Sequence, residues 1–209
     1  MRKTILSIGH SQHDTEYFIK MLKKHEVNYL LDVRSMPYSQ FASDYDRDNI
    51  RAILLNNGIN YSFMGECFGA RQLDRTVYSM QGRVDFEKVK KGDVFKKGFN
   101  NVMRGIEQGN RIAFMCTEKD PIECHRAILV TRVFEQAGIH VEHIMADSSI
   151  QTQRELNERL LNMYYPDRKQ FSIFDVDNLS EEEHLLLAYK KQNEKIGYFV
   201  ENELKKSIV

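Results

Sequence analysis

The stretch Asn28-Tyr29-Leu30-Leu31-Asp32-Val33 holds its apolar residues in a continuous run and does not alternate them with polar ones. A strand with one wet face alternates, whereas a strand covered on both faces has no need to. This run therefore predicts a parallel sheet covered by helices on both sides. Working outward, further β-rich runs stand at 4–8, 59–64, 111–116 and 140–145. Helical spacing fills the gaps between them. Phe18, Ile19, Leu22 and His25 follow the capping residues Asp14 and Thr15, and Ile50, Ile53 and Leu54 recur over 47–56 before Asn57-Gly58 stops the pattern. The pattern resumes over 93–108, and again over 121–136 with Pro121 in the first turn. Strands alternating with helices predict an α/β fold, a mostly parallel sheet of about five strands with helices on both faces.

The remainder reads differently. Residues 149–163 have helical spacing, Tyr164-Tyr165-Pro166-Asp167 breaks it, and Ser180-Glu181-Glu182-Glu183 is a capping-box sequence opening a helix through Tyr189. An amphipathic piece over 196–204 follows. The reading is thus a core domain over 1–146 and a helical C-terminal extension over 147–209. The extension's apolar face, Leu185, Leu186, Tyr189, Ile196, Phe199, Val200 and Leu204, is expected to cover the core, a second subunit or a protein partner. Within the core, the irregular stretch 65–92 is long for a strand-to-helix connection and predicts a functional flap.

Composition excludes several classes. Thirty Lys and Arg balance thirty Asp and Glu, so a generic basic DNA-coating protein is demoted. A local basic run over 82–104, seven basic residues against three acidic, leaves a nucleic-acid edge as an alternative. Uncharged apolar runs stop at about five residues where a membrane span needs about twenty, and the N-terminus lacks a signal-peptide core. Cys67, Cys116 and Cys124 are too few for a disulfide framework. A cytoplasmic protein is expected.

In a parallel sheet the strands' carboxyl ends open on one edge, where ligand sites form. The chemistry-bearing residues fall there. His10 and Ser11 follow the first strand, Asp32, Arg34 and Ser35 end the second, Gly65, Gly69 and Arg71 follow the third, and Cys116 and Glu118 end the fourth. Cys124, His125 and Arg126 are read into the first turn of the next helix, where free N–H groups favour an anion or a thiolate. A phosphatase cradle needs Arg six residues after the cysteine; Ile122 stands there, and the template fails. A zinc set fares little better on spacing: Cys116 with Cys124-His125 supplies three ligands, with His10, Asp32 or Glu118 to complete it in space. No metal ligands and no cofactor are assigned, a transition metal being the lesser alternative.

Four blocks resemble the DUF488 family: Ile8-Gly9-His10-Ser11; Leu31-Asp32-Val33-Arg34-Ser35-Met36-Pro37-Tyr38-Ser39; Met64-Gly65-Glu66-Cys67-Phe68-Gly69-Ala70-Arg71; and Cys116-Thr117-Glu118-Lys119-Asp120-Pro121 with Cys124-His125-Arg126. They occur in order across most of 1–146. Phe68-Gly69-Ala70-Arg71 replaces the family's Leu-Gly-Gly-Arg. The resemblance implies a compact α/β domain with its signature residues in these blocks, and it implies no substrate.

The residues themselves predict a hydrolase-like enzyme acting on a nucleotide, a nucleic-acid base or another phosphate-bearing ligand. Asp32 or Glu118 is the expected base for water, His10 or His125 the proton donor, and Cys124 the nucleophile of a covalent variant. Arg34, Arg71 and Arg126 are the expected phosphate contacts, with Ser11, Ser35, Gly65, Gly69 and Cys116 lining the site. The alternative is a non-catalytic anion sensor or nucleic-acid-binding module.

Overall fold

Neighbouring residues of the central strands point into two separate cores. A computed structural model describes residues 3–11, 13–168 and 179–200. Leu6 and Ile8 of β1 (Thr4–Gly9), Leu30 of β2 (Tyr29–Asp32) and Met115 of β4 (Ile112–Cys116) share one face with Phe18 and Leu22 of α1 (Thr15–Lys24) and Ile50 and Leu54 of α2 (Arg47–Asn56). Ile5, Leu31, Ile112 and Phe114 face the other way, onto Phe68 of α3 (Gly65–Phe68) and Phe95 and Val102 of α5 (Asp93–Glu107). The central strands are buried on both faces, which is why the β2 sequence is continuous in apolar character.

Among the described residues six strands form one sheet in the order β3-β2-β4-β1-β5-β6. β3 (Asn60–Phe63) and β5 (His140–Ile144) join the parallel set, and β6 (Ile150–Thr152) runs antiparallel to β5. In this register Gly9 lies beside Cys116 and Asp32 beside Met115, so the ends of β1, β2 and β4 are level. No helix of the described residues is long and apolar enough to cross a membrane.

Three segments differ from the sequence reading. The helix expected over 149–163 gives up its first residues to β6. A turn with Ser148 at φ 63° folds 150–152 back onto β5, and Thr152 then caps α7 (Gln153–Tyr164) in a capping box with Glu155. The helix expected over 121–136 is broken. Pro121–Glu123 is a single 3-10 turn, Cys124 is extended (φ −131°, ψ 138°), and wide π-helical turns over Arg126–Thr131 lead into α6 (Arg132–Gln136). The C-terminal helix is longer than its reading: α8 (Glu181–Ile196) ends at Gly197, and Phe199 forms a β-bridge with Arg83, so 197–200 is not helical. Leu204 lies outside the described residues. Tyr189 is buried and Leu185 and Ile196 pack on the core, but Leu186 is 53% exposed and leaves the expected face.

The stretch 65–92 is built from α3, a 3-10 turn at Arg75–Val77 and α4 (Phe86–Val89). Phe68, Val77, Val84, Phe86 and Val89 all reach the core, which pins the segment down at several points.

Candidate functional site

The carboxyl ends of β1, β2 and β4 carry two side-chain clusters joined through Val33. The first is built on Asp32, a fully buried carboxylate held by four donors. Arg34 contributes its own amide (3.1 Å), Nε (2.9 Å) and Nη2 (2.6 Å), and the Tyr61 hydroxyl donates at 2.8 Å. Arg34 Nη2 also reaches the Tyr45 carbonyl at 2.8 Å, and its Nη1 donates to His10 Nε2 at 3.3 Å. Because Arg34 can only donate, the His10 proton sits on Nδ1, which donates to the Ser11 carbonyl at 3.1 Å. The His10 ring stacks on Tyr45 at 4.2 Å. Burial, then the Arg34 charge, lowers the His10 pKa to about 4, so the imidazole is neutral at pH 7.

The second cluster gathers Cys116, Glu118, Cys124 and His125. Glu118 Oε2 lies within hydrogen-bond reach of both sulfurs, 3.2 Å from Cys116 Sγ and 3.1 Å from Cys124 Sγ. His125 donates from Nε2 to the Val33 carbonyl at 2.9 Å, which turns Nδ1 toward the sulfurs, 3.7 Å from Cys116 and 3.8 Å from Cys124. The two sulfurs and an imidazole nitrogen lie within 4.8 Å of one another. Burial pushes the Cys124 thiol up, but its bond with Cys116, the Arg126 charge and His125 outweigh burial and hold it well below the usual thiol range. Burial, reinforced by Cys124 and Glu118, drives the Cys116 thiol the opposite way. Burial and the Cys124 charge raise the Glu118 carboxyl. Although Glu118 as a residue is exposed, its carboxylate end is packed against both sulfurs.

The backbone explains why this cluster forms. His10 and Ser11 donate their amides to the carbonyls of Cys116 (2.9 Å) and Thr117 (2.8 Å), fastening the β4 exit to the β1 exit. Gly9 permits the loop to close over that edge, since a Cβ there would stand 1.9 Å from the Glu118 carbonyl. Cys124 is extended, and its carbonyl accepts the amides of Ala127 and Ile128, so the next helix starts just behind its sulfur.

Several expected residues take other work. Arg126 is not surface-directed: it is fully buried, and its guanidinium clamps the carbonyls of Glu118 (2.6 Å) and Lys119 (3.3 Å). Arg34 is likewise occupied internally. Gly65 and Gly69 serve chain-to-chain approach. A Cβ at Gly65 would lie 2.2 Å from the Arg34 carbonyl, and one at Gly69 would lie 2.5 Å from the Gly65 carbonyl and 2.6 Å from Ser35 Oγ. Ser35 Oγ accepts the Arg71 amide at 2.8 Å, and the exposed Arg71 guanidinium lies 5.5 Å from the Tyr198 ring centre. In the basic run, Lys90 pairs with Glu87, Lys96 with Asp93, and Arg83 reaches the Gly197 carbonyl. Tyr45 and Tyr61 were not legible as site residues. Nothing in the sequence signals that the Tyr61 hydroxyl ends on Asp32.

Among known families, the model described as "Domain of unknown function DUF488" matches residues 14–133, more than half of the chain. The match takes in every residue of both clusters except His10. No curated protein and no solved structure matches.

Proposed function

The chain belongs to the DUF488 family, a domain of unknown function, and from the site it carries we propose a hydrolase-like enzyme for a phosphate-bearing ligand of the nucleotide type. The observation that supports this most is the Glu118 carboxylate. It stands between an exposed loop and a buried pair of sulfurs, with its affinity for a proton raised. A carboxyl group tuned upward is suited to take a proton from water and return it to a leaving group near neutral pH. Asp32 is the weaker candidate, because four donors already occupy it. His125, oriented by the Val33 carbonyl, is placed to share the proton with the sulfurs.

Ligand contact falls to the rim. Arg34 and Arg126 direct their donors inward, which leaves the exposed Arg71 and Lys119 as the cations nearest the edge in sequence. Tyr38 and Phe41, on the loop that follows β2, are 54% and 98% exposed and offer flat faces on which a base can stack.

The test is a thermal-shift screen of nucleotides and short oligonucleotides, followed by turnover of whatever binds. A bound nucleotide should be hydrolysed by the wild type, and Glu118→Gln should lose about 100-fold or more of that rate while still binding. Binding without turnover would favour a sensor. A screen with neither result would end the nucleotide reading.

A further inference from the structure

The second cluster has features that neither a thiol nucleophile nor a buried hydrophobic cysteine explains. Two sulfurs and one imidazole nitrogen lie within 4.8 Å of one another, and the ring's Nε2–H is held on the opposite side by the Val33 carbonyl. Metal-bound imidazoles are oriented in this way. With metal–sulfur bonds of about 2.3 Å and metal–nitrogen or metal–oxygen bonds of about 2.0–2.2 Å, tetrahedral ligands stand about 3.4–3.8 Å apart. The sulfur-to-nitrogen separations here are 3.7 and 3.8 Å. The sulfur-to-carboxylate separations, 3.2 and 3.1 Å, are those of S–H···O bonds and need to open by only a few tenths of an ångström once the protons leave.

The surrounding charge fits the same reading. Arg126 is fully buried, and among the described residues it makes no ion pair; its polar contacts are the carbonyls of Glu118 and Lys119, while its own amide points at Cys124 Sγ, 3.5 Å away. A buried guanidinium without a carboxylate is costly unless something nearby carries negative charge. Two thiolates and a carboxylate around a divalent ion carry a net charge of −1, which the guanidinium balances.

We propose that Cys116 Sγ, Cys124 Sγ and His125 Nδ1 bind one divalent ion of the zinc type, with Glu118 Oε2 as a fourth, exchangeable ligand. Thiolate with imidazole in a tetrahedral set selects zinc among the common divalent ions. Three ligands held on rigid backbone and a fourth on an exposed loop is the arrangement of a centre with one position open to water or substrate. The inference goes beyond the hydrolase reading and does not depend on it, since a sensing or structural centre uses the same ligands.

The experiment is a metal titration of the full chain under reducing conditions. The protein is stripped with a chelator, its fold is checked by circular dichroism, and cobalt(II) and then zinc(II) are added. One equivalent of cobalt should bind with thiolate charge-transfer absorption and intense tetrahedral visible bands, and one equivalent of zinc should bleach them. Cys116→Ser and Cys124→Ser should each weaken cobalt binding by about 100-fold or more, whereas Cys67→Ser leaves it unchanged. Glu118→Gln should still bind one equivalent with a shifted visible spectrum. Absence of equimolar uptake by folded wild-type protein, or cobalt spectra indifferent to both serine variants, would overturn the assignment. A Cys116–Cys124 disulfide that persists under these reducing conditions would do the same. Full turnover retained in Glu118→Gln beside a normal wild-type titration would overturn the hydrolase reading and leave the metal assignment standing.

Discussion

Asp32 shows how a residue can be placed correctly by sequence and still mislead about its work. Its position at a strand end was legible, because strand ends in parallel sheets are readable from the alternation of elements. Its saturation by Arg34 and Tyr61 was not, because it depends on where β3 and the 45–46 turn arrive in space. The energetics follow from burial. Asp32→Ala strands a buried guanidinium and should cost about 3–5 kcal/mol in urea unfolding, while Tyr61→Phe removes one bond to a charged group and should cost about 1.5–3 kcal/mol. A loss under 1 kcal/mol for Asp32→Ala would show that the pair is solvated. Arg126 follows the same logic. Its replacement by alanine leaves the Glu118 and Lys119 carbonyls unsatisfied, so a loss of about 3 kcal/mol or more should appear in stability. An unchanged melting curve would contradict the clamp.

At the scale of elements, the parallel strands and the major helices were legible because burial on both faces leaves an unbroken apolar record in the sequence. Three boundaries were not legible, each for a local reason. β6 is three residues long and takes its identity from pairing with β5. The break at Cys124 accompanies the reach of the Arg126 guanidinium back to the Glu118 carbonyl, a contact eight residues away in sequence that nothing in the local propensities announces. The end of α8 is set by Gly197, whose missing Cβ lets the Asn193 carbonyl approach; a Cβ would stand 2.7 Å from it. Close approach also makes Gly9 a sharp test of the loop over the site. Gly9→Ala drives a methyl group into the Glu118 carbonyl and should cost about 1–3 kcal/mol or more, together with weaker cobalt binding, because the loop carries Glu118. Gly105→Ala is the control: its new Cβ meets a movable Ile112 methyl at 3.1 Å, and a gain in helix propensity offsets that contact. Equal losses for the two variants would deny Gly9 its special place.

Across the whole molecule, a buried polar network ties the sheet to both C-terminal helices. His143, fully buried on β5, contacts Ser7 Oγ through Nδ1 (2.7 Å) and Gln153 Oε1 through Nε2 (3.0 Å). Gln153 of α7 also accepts from Thr131 (2.8 Å) and donates to the Tyr189 hydroxyl of α8 (3.0 Å). Burial lowers the His143 pKa to about 3; the Arg126 charge adds to this, while Gln153, Cys124 and Asp120 act in the opposite sense. The folded value lies below the unfolded value of about 6.5, so the native state prefers the neutral ring. Above pH 6.5 the ring is neutral in both states and the contribution to stability is complete. Below it the unfolded chain takes up a proton that the native chain refuses, and stability falls by about 1.4 kcal/mol per pH unit until pH about 3. His10, lowered to about 4, adds a loss of the same sign between pH 6.5 and 4. A comparison of wild type with His143→Gln separates the two, because glutamine keeps polar contacts with Ser7 and Gln153 but has no proton to gain. Between pH 6.5 and 5 the wild type should lose about 2 kcal/mol more than the variant in urea unfolding. Parallel stability curves would mean that His143 is protonated in the native state, and the network would then have to accommodate a charge at its centre.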